Sequence, residues 1–229
     1  MYLRKLFMSK PFFFYLWYKL YRSKKKLKPK WFNKETTFYF DGYPRSGNTY
    51  MIFLMKEIYD EKNIIHHFHT IAPLKVALKK KIKSLIIIRN PIESVSSSYL
   101  KKFEKKELPI QIDKNLLETL LVDYITYYEY VKSQYNKIYL INFQTLINNP
   151  YKTLLKVDKH LNNLSGIKDE NEFLSRFSNR KDTTFGSKSI LGSSLPNIEK
   201  EYLKDKIKAE LVKFDKFSNA EKLFINLIK

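Results

Sequence analysis

Apolar residues in this chain fall into short unbroken runs and into longer stretches with helical spacing. Phe38, Tyr39 and Phe40 form one short run, closed by Asp41 and Gly42, as expected of a buried strand that ends in a turn. Residues 84–88, S-L-I-I-I, form the clearest one, of the continuous kind buried on both faces of a parallel sheet. Residues 63–70, N-I-I-H-H-F-H-T, read as a further strand. Between these runs the spacing becomes helical. From Tyr50 onward, Ile52, Phe53, Met55, Ile58 and Tyr59 fall largely on one helical face, with Asn48 or Thr49 as its cap. Helices are also expected over residues 75–83, 92–103, 116–135, 151–162, 197–214 and 218–229. Strands alternating with helices predict an α/β fold of three layers, a central mainly parallel sheet flanked by helices.

The junctions between strands and helices carry the chemistry. Gly42-x-x-x-x-Gly47-Asn48-Thr49 has the spacing of the P-loop signature G-x-x-x-x-G-K-[ST], with Asn48 where the lysine belongs. A strand, a glycine turn and a helix N-terminus together cradle an anion, because backbone N–H groups and the positive dipole end converge there. The fold expected is therefore P-loop NTPase-like. The missing lysine counts against an ordinary ATPase or kinase, and a different cation, Arg45, sits within the loop. The second strong strand runs into Arg89-Asn90-Pro91, in which Asn90 is a good cap and Pro91 suits the first helical position. A P-loop NTPase would often end such a strand in a metal-binding aspartate. An arginine beside a helix N-terminus makes a second anion site instead.

His66, His67 and His69 invite a metal reading. On a strand, His67 and His69 would share a face and His66 would point away. Only one other histidine, His160, exists and there is no cysteine, so no metal is expected here. A histidine beside a nucleotide site can instead act as a base near neutral pH.

Composition adds a basic balance. The 229 residues carry 43 Lys and Arg against 23 Asp and Glu, a net charge of +20. Eleven of the cations and no acid fall within residues 1–34, so over half of the net charge sits there. That segment interleaves Arg4, Lys5 and Lys10 with Phe12, Phe13, Phe14, Tyr15, Trp17, Tyr18 and Tyr21 before a run of lysines. Its uncharged run, residues 11–18, is far shorter than the ~20 residues that span a bilayer. Two readings stand side by side. One is an interfacial helix with aromatics among the headgroups and lysines on anionic lipid; the other is a helix packed on the domain with a solvated basic tail. The chain is read as this arm, 1–34, followed by a single domain over 35–229. The lack of cysteine fits a reducing compartment, so the expected location is cytoplasmic, peripheral at the inner face of a membrane.

Two anion sites without the usual lysine or metal aspartate point further. Y-P-R-S-G-N-T-Y and I-I-I-R-N-P-I-E-S-V-S-S-S-Y resemble the two nucleotide signatures of sulfotransferases that use 3′-phosphoadenosine 5′-phosphosulfate (PAPS). The resemblance implies that Arg45, Ser46, Gly47, Asn48 and Thr49 hold the 5′-phosphosulfate, and that Arg89 and Ser97 hold the 3′-phosphate. It extends to residues 138–150, I-Y-L-I-N-F-Q-T-L-I-N-N-P, which look like the family's strand and turn ahead of a helix and in which Phe143 replaces the tyrosine that faces the base in cytosolic members. Tyr50 stands where those members often stack a Trp on adenine. Arg180 and Lys181 weakly match a late basic signature and are candidates for the 3′-phosphate. The family's histidine between the two signatures corresponds to His69, with His67 as the reserve base.

The expected activity is sulfuryl transfer from PAPS to a hydroxyl or amine acceptor on a glycan, a lipid-linked molecule or a small alcohol. The product would be adenosine 3′,5′-bisphosphate (PAP), with no metal required and no nucleic-acid partner. A P-loop kinase or NTPase is the enzymatic alternative, and a non-catalytic binder of polyanions or membranes through residues 1–34 is the other.

Overall fold

The structure is a computed structural model that describes residues 9–24, 31–56, 58–59, 63–103, 111–162, 169–173 and 198–229. Four strands form one parallel sheet: β1 (Phe38–Gly42), β2 (Ile64–His66), β3 (Lys83–Ile88) and β4 (Tyr139–Asn142). Their order is β2-β1-β3-β4, so the two strands that precede the glycine and arginine turns lie side by side at the centre. Gly42 pairs with Ile87, and the chain leaves both strands at the same edge.

Nine helices are described: α1 (Pro11–Lys24), α2 (Asn48–Met55), α3 (Ile71–Lys79), α4 (Pro91–Lys102), α5 (Lys114–Ser133), α6 (Phe143–Asn148), α7 (Pro150–His160), α8 (Ile198–Leu211) and α9 (Asp215–Ile228). Strand side chains alternate between two cores, which makes the three layers. Phe38, Phe40, Leu85 and Ile87 face a core closed by α2, α6 and α7. Tyr39, Ile86 and Ile88 face the other, closed by α3, α4, α5, α8 and α9. Both central strands are therefore buried on both faces, as their unbroken apolar runs require.

Several boundaries differ from expectation, each for a physical reason. The strand expected over 63–70 stops at His66, because His67 and His69 adopt left-handed backbone conformations, φ 64° and 57°. Alternation does not reach them, so no shared strand face exists. The helix expected from residue 75 starts at Ile71; Pro73 falls within its first turn, where the missing N–H costs no helical hydrogen bond. Lys83 opens β3 rather than ending that helix. At α4 the outcome matches: Asn90 Oδ1 accepts from the Ile92 N–H and Pro91 is the first helical residue.

Helix α5 braces the functional edge through tyrosine hydroxyls. Tyr128 donates to the Ile87 carbonyl at 2.7 Å and Tyr124 to that of Arg89 at 2.8 Å. In return the Tyr43 hydroxyl donates to the Leu120 carbonyl of α5 at 2.9 Å. Helix α1 packs on the domain through Phe14, which is buried against Phe68 with ring centroids 5.7 Å apart. No helix among the described residues is long and apolar enough to cross a membrane.

Gly42 is required by space. A Cβ there would lie 2.6 Å from the Ile87 carbonyl oxygen in the neighbouring strand, and neither backbone can yield without opening the central pair. Gly42→Ala is expected to destabilise the protein by about 1–3 kcal/mol, read as a lower urea midpoint at unchanged slope.

Candidate functional site

The turn after β1 is held from below rather than by its helix cap. Arg45 and Gly47 both adopt positive φ, 65° and 97°, and Gly47 caps α2. Neither Asn48 nor Thr49 caps the helix. Asn48 is buried, and its Nδ2 donates to the carbonyls of Gly42 and Tyr43 at 3.3 and 3.1 Å, tying the two ends of the loop together. Its Oδ1 is buried with no hydrogen-bond partner. The Ser46 amide closes a turn onto the Tyr43 carbonyl, and its buried Oγ contacts the Tyr128 hydroxyl. The first turn of α2, whose amides have no acceptor inside the helix, remains to meet an anion. Thr49 is exposed there, its Oγ1 3.4 Å from His67 Nε2, and Tyr50 is half-buried one residue on.

The two signatures meet side by side. Arg45 Nε donates to Ser97 Oγ at 3.1 Å, and Arg89 Nη1 donates to the Arg45 carbonyl at 2.9 Å. Ser98, the next residue of α4, donates to the Pro44 carbonyl. Phe143, at the start of α6, covers this junction: its ring lies 4.4 Å from the Arg89 guanidinium. A Cβ on Gly47 would sit 2.5 Å from the same ring, so that glycine serves both the left-handed turn and the aromatic packed on it. Arg180 and Lys181 lie outside the described residues.

Charge at this junction is strongly positive. Burial pulls the Arg89 pKa down; Glu93 resists that and Arg45 adds to it. Glu93 also receives Lys204 at 2.7 Å and Lys208 at 2.8 Å from α8. Burial alone would raise the Glu93 pKa, but these two lysines bring it to about 2. The stabilisation they give is present above the ordinary value of 4.5 and is lost as pH falls towards about 2. Lys204 and Lys208 carried no signal in the sequence, because α8 is remote in the chain and reads as an ordinary amphipathic helix.

On the other side of the glycine turn stands a histidine–aspartate pair. Asp41 is fully buried and accepts from the Tyr39 hydroxyl at 2.7 Å, the Gly42 N–H at 2.9 Å and the His69 N–H at 2.7 Å. His69 Nδ1 lies 3.2 Å from Asp41 Oδ1 and 2.8 Å from the Gly42 carbonyl. With two acceptors facing it, Nδ1 carries the proton and Nε2 is left with its lone pair. Burial would lower the His69 pKa, but Asp41 reverses this and raises it; Asp41 in turn is lowered despite its burial, by His69, Tyr39 and Gly42. His67 is engaged differently, with Thr49 and with the ring of His66. Among the described residues no group of side chains is arranged to hold a metal ion.

Asp41 is the residue that sequence reasoning passed over as a strand terminator. Its signal was there: an acid directly after three aromatic residues on a strand buried on both faces needs a partner. Beside the pair opens a cavity of about 660 Å³ lined by Tyr43, Arg45, Phe68, His69, Leu120 and Tyr127, among others. Arg45 and His69 thus border one space from opposite ends of the glycine turn.

The fold is similar to that of mouse sulfotransferase SULT7A1, solved in complex with PAP. The TM-score is 0.51 and the identity 13%, over 84% of this chain and 90% of that one. No family model matches the sequence, and no curated protein matches it.

The histidine–aspartate pair has a spectroscopic consequence. His69 titrates above the ordinary 6.5, so its pairing stabilises the fold fully below about 6.5 and less as pH rises through the folded value. In Asp41→Asn burial is opposed only by the Gly42 carbonyl, and the His69 titration should move down, as read from imidazole NMR shifts. A titration that stays put would remove Asp41 as its cause.

Proposed function

We propose that this chain transfers a sulfuryl group from PAPS to an acceptor hydroxyl, releasing PAP. The observation that carries the reading is the convergence of Arg45, Arg89, Ser97 and the His69–Asp41 pair on one edge of the sheet. The shared fold with a sulfotransferase supports it. The sequence signatures support it independently of the fold.

In this reading Arg89 and Ser97 hold the 3′-phosphate. Arg45 and the first turn of α2 hold the 5′-phosphate and the bridging oxygen that leaves with it. Arg45 exchanges its bond to Ser97 for bonds to the donor, which places a cation where negative charge builds up in the transition state. Tyr50 and Phe143 offer aromatic surface to the adenine. His69 Nε2 takes the proton of the acceptor hydroxyl as its oxygen bonds to sulfur and the bond from sulfur to the bridging oxygen breaks. Asp41 is a positioning residue: it fixes the imidazole tautomer and steadies the imidazolium that forms. The cavity beside His69, walled by Tyr43, Phe68, Leu120 and Tyr127, suits an acceptor with an apolar or aromatic body.

PAP at about a hundredfold its Kd should raise the melting temperature by several degrees, since such saturation contributes about 2.7 kcal/mol. ATP with Mg²⁺ should not, and Arg89→Ala should abolish the PAP shift. With radiolabelled PAPS and a panel of hydroxyl acceptors, His69→Ala should lower turnover by about 10²–10⁴-fold while the PAP shift survives. Preference for ATP with Mg²⁺ would transfer the protein to the kinase or NTPase class, and full turnover in His69→Ala would remove the base.

A further inference from the structure

Helix α1 has two apolar faces, one packed on the domain and one exposed. Phe14 and Tyr18 turn inward, stacked on each other and packed edge-on against Phe68 at 5.7 and 5.1 Å; Tyr15 meets Trp31 at 4.9 Å. The opposite face presents Phe12, Leu16 and Leu20, exposed by 72, 46 and 58%. Phe13, Trp17 and Tyr21 flank them and are also exposed. Positions 12/13, 16/17 and 20/21 recur every four residues, so they stack over three turns on one side of the helix. A surface helix normally carries polar residues there, and a contiguous apolar strip of this kind marks an interaction surface.

The surrounding charge says what covers it. Lys10, Lys19 and Lys24 are exposed around the strip, in a segment with eleven cations and no acid. A second copy of the chain would bring these like charges together across a two-fold interface. An anionic bilayer satisfies both halves at once: aromatic and aliphatic side chains enter the headgroup boundary while lysines meet acidic lipid. Fourteen residues of helix make about 21 Å, which lies in the interface and does not cross it.

We propose that α1 docks this protein on anionic membranes through the face formed by Phe12, Phe13, Leu16, Trp17 and Leu20. Its inner face is packed into the domain, so the domain is seated on the lipid and not tethered at a distance. Ser9, whose carbonyl accepts from Lys75 Nζ at 3.0 Å, and Phe68, which α1 packs against, both line the cavity beside His69. The helix that meets the lipid therefore also borders that cavity from its inner side. The docking itself stands whether or not sulfuryl transfer is the reaction.

The full chain is tested by co-sedimentation with phosphatidylcholine vesicles, with and without phosphatidylglycerol. Binding is expected to the anionic vesicles and to weaken with salt. Trp17 fluorescence should shift to the blue and be quenched by brominated lipid, and Trp17→Phe should remove the response while Trp31 stays silent. The combined variant Phe12→Ser, Leu16→Ser, Leu20→Ser should bind at least about tenfold more weakly, with its melting temperature kept because these side chains face outward. Lys10→Glu with Lys19→Glu and Lys24→Glu should abolish the preference for phosphatidylglycerol. No binding to anionic vesicles overturns the proposal. So does binding that the serine variant leaves unchanged, which would be adsorption of charge alone. A lipid-free dimer in ultracentrifugation that the serine variant dissolves would assign the face to a second copy instead.

Discussion

Asp41 sits at the end of the central strand with none of its surface exposed, and a carboxylate in that position must be answered by donors or become protonated. Four donors answer it, and they come from two stretches of chain: the Tyr39 hydroxyl and Gly42 amide from β1, and the backbone N–H and ring of His69 beyond β2. Meeting this requirement pins the β2–α3 loop to the end of β1. It also holds His69 in a left-handed conformation that an unsupported residue of its kind adopts only occasionally. The imidazole consequently rests on the Gly42 carbonyl, at the first residue of the glycine turn. One buried charge thus sets the distance between the His69 ring and that turn.

The arginine side of the site depends on a different kind of support. Arg89 is anchored by its backbone, through the Tyr124 hydroxyl on its carbonyl, and its guanidinium is spread among the Arg45 carbonyl, Glu93 and the Phe143 ring. Helix α8, more than a hundred residues further along, reaches back to the same Glu93 with two lysines. Helix α8 thereby belongs to the site electrostatically, although it contributes nothing to its motifs.

Much of this was legible in the sequence where local chemistry and fold agree. The runs ending at Gly42 and Ile88, the Asn90 cap with Pro91 behind it, and the two strand-to-helix turns all announce themselves within a few residues. What was hidden depends on contacts distant in sequence. Residues 67–69 look like the continuation of a strand until Asp41 draws them into a loop. Asn48 looks like a helix cap, yet its side chain turns inward to the Gly42 and Tyr43 carbonyls. The two faces of α1 were indistinguishable as sequence, since aromatic residues occupy both, and packing against Phe68 and Trp31 separates them.

The crowd of cations around Glu93 has a practical side. Arg89, Lys204 and Lys208 share that one carboxylate at close range, and Arg45 adds its own charge next door. If this cluster meets the donor's phosphates, as proposed, then phosphate or sulfate in a preparation buffer would compete for the same cations. Affinities measured in such buffers would then understate the grip on the nucleotide.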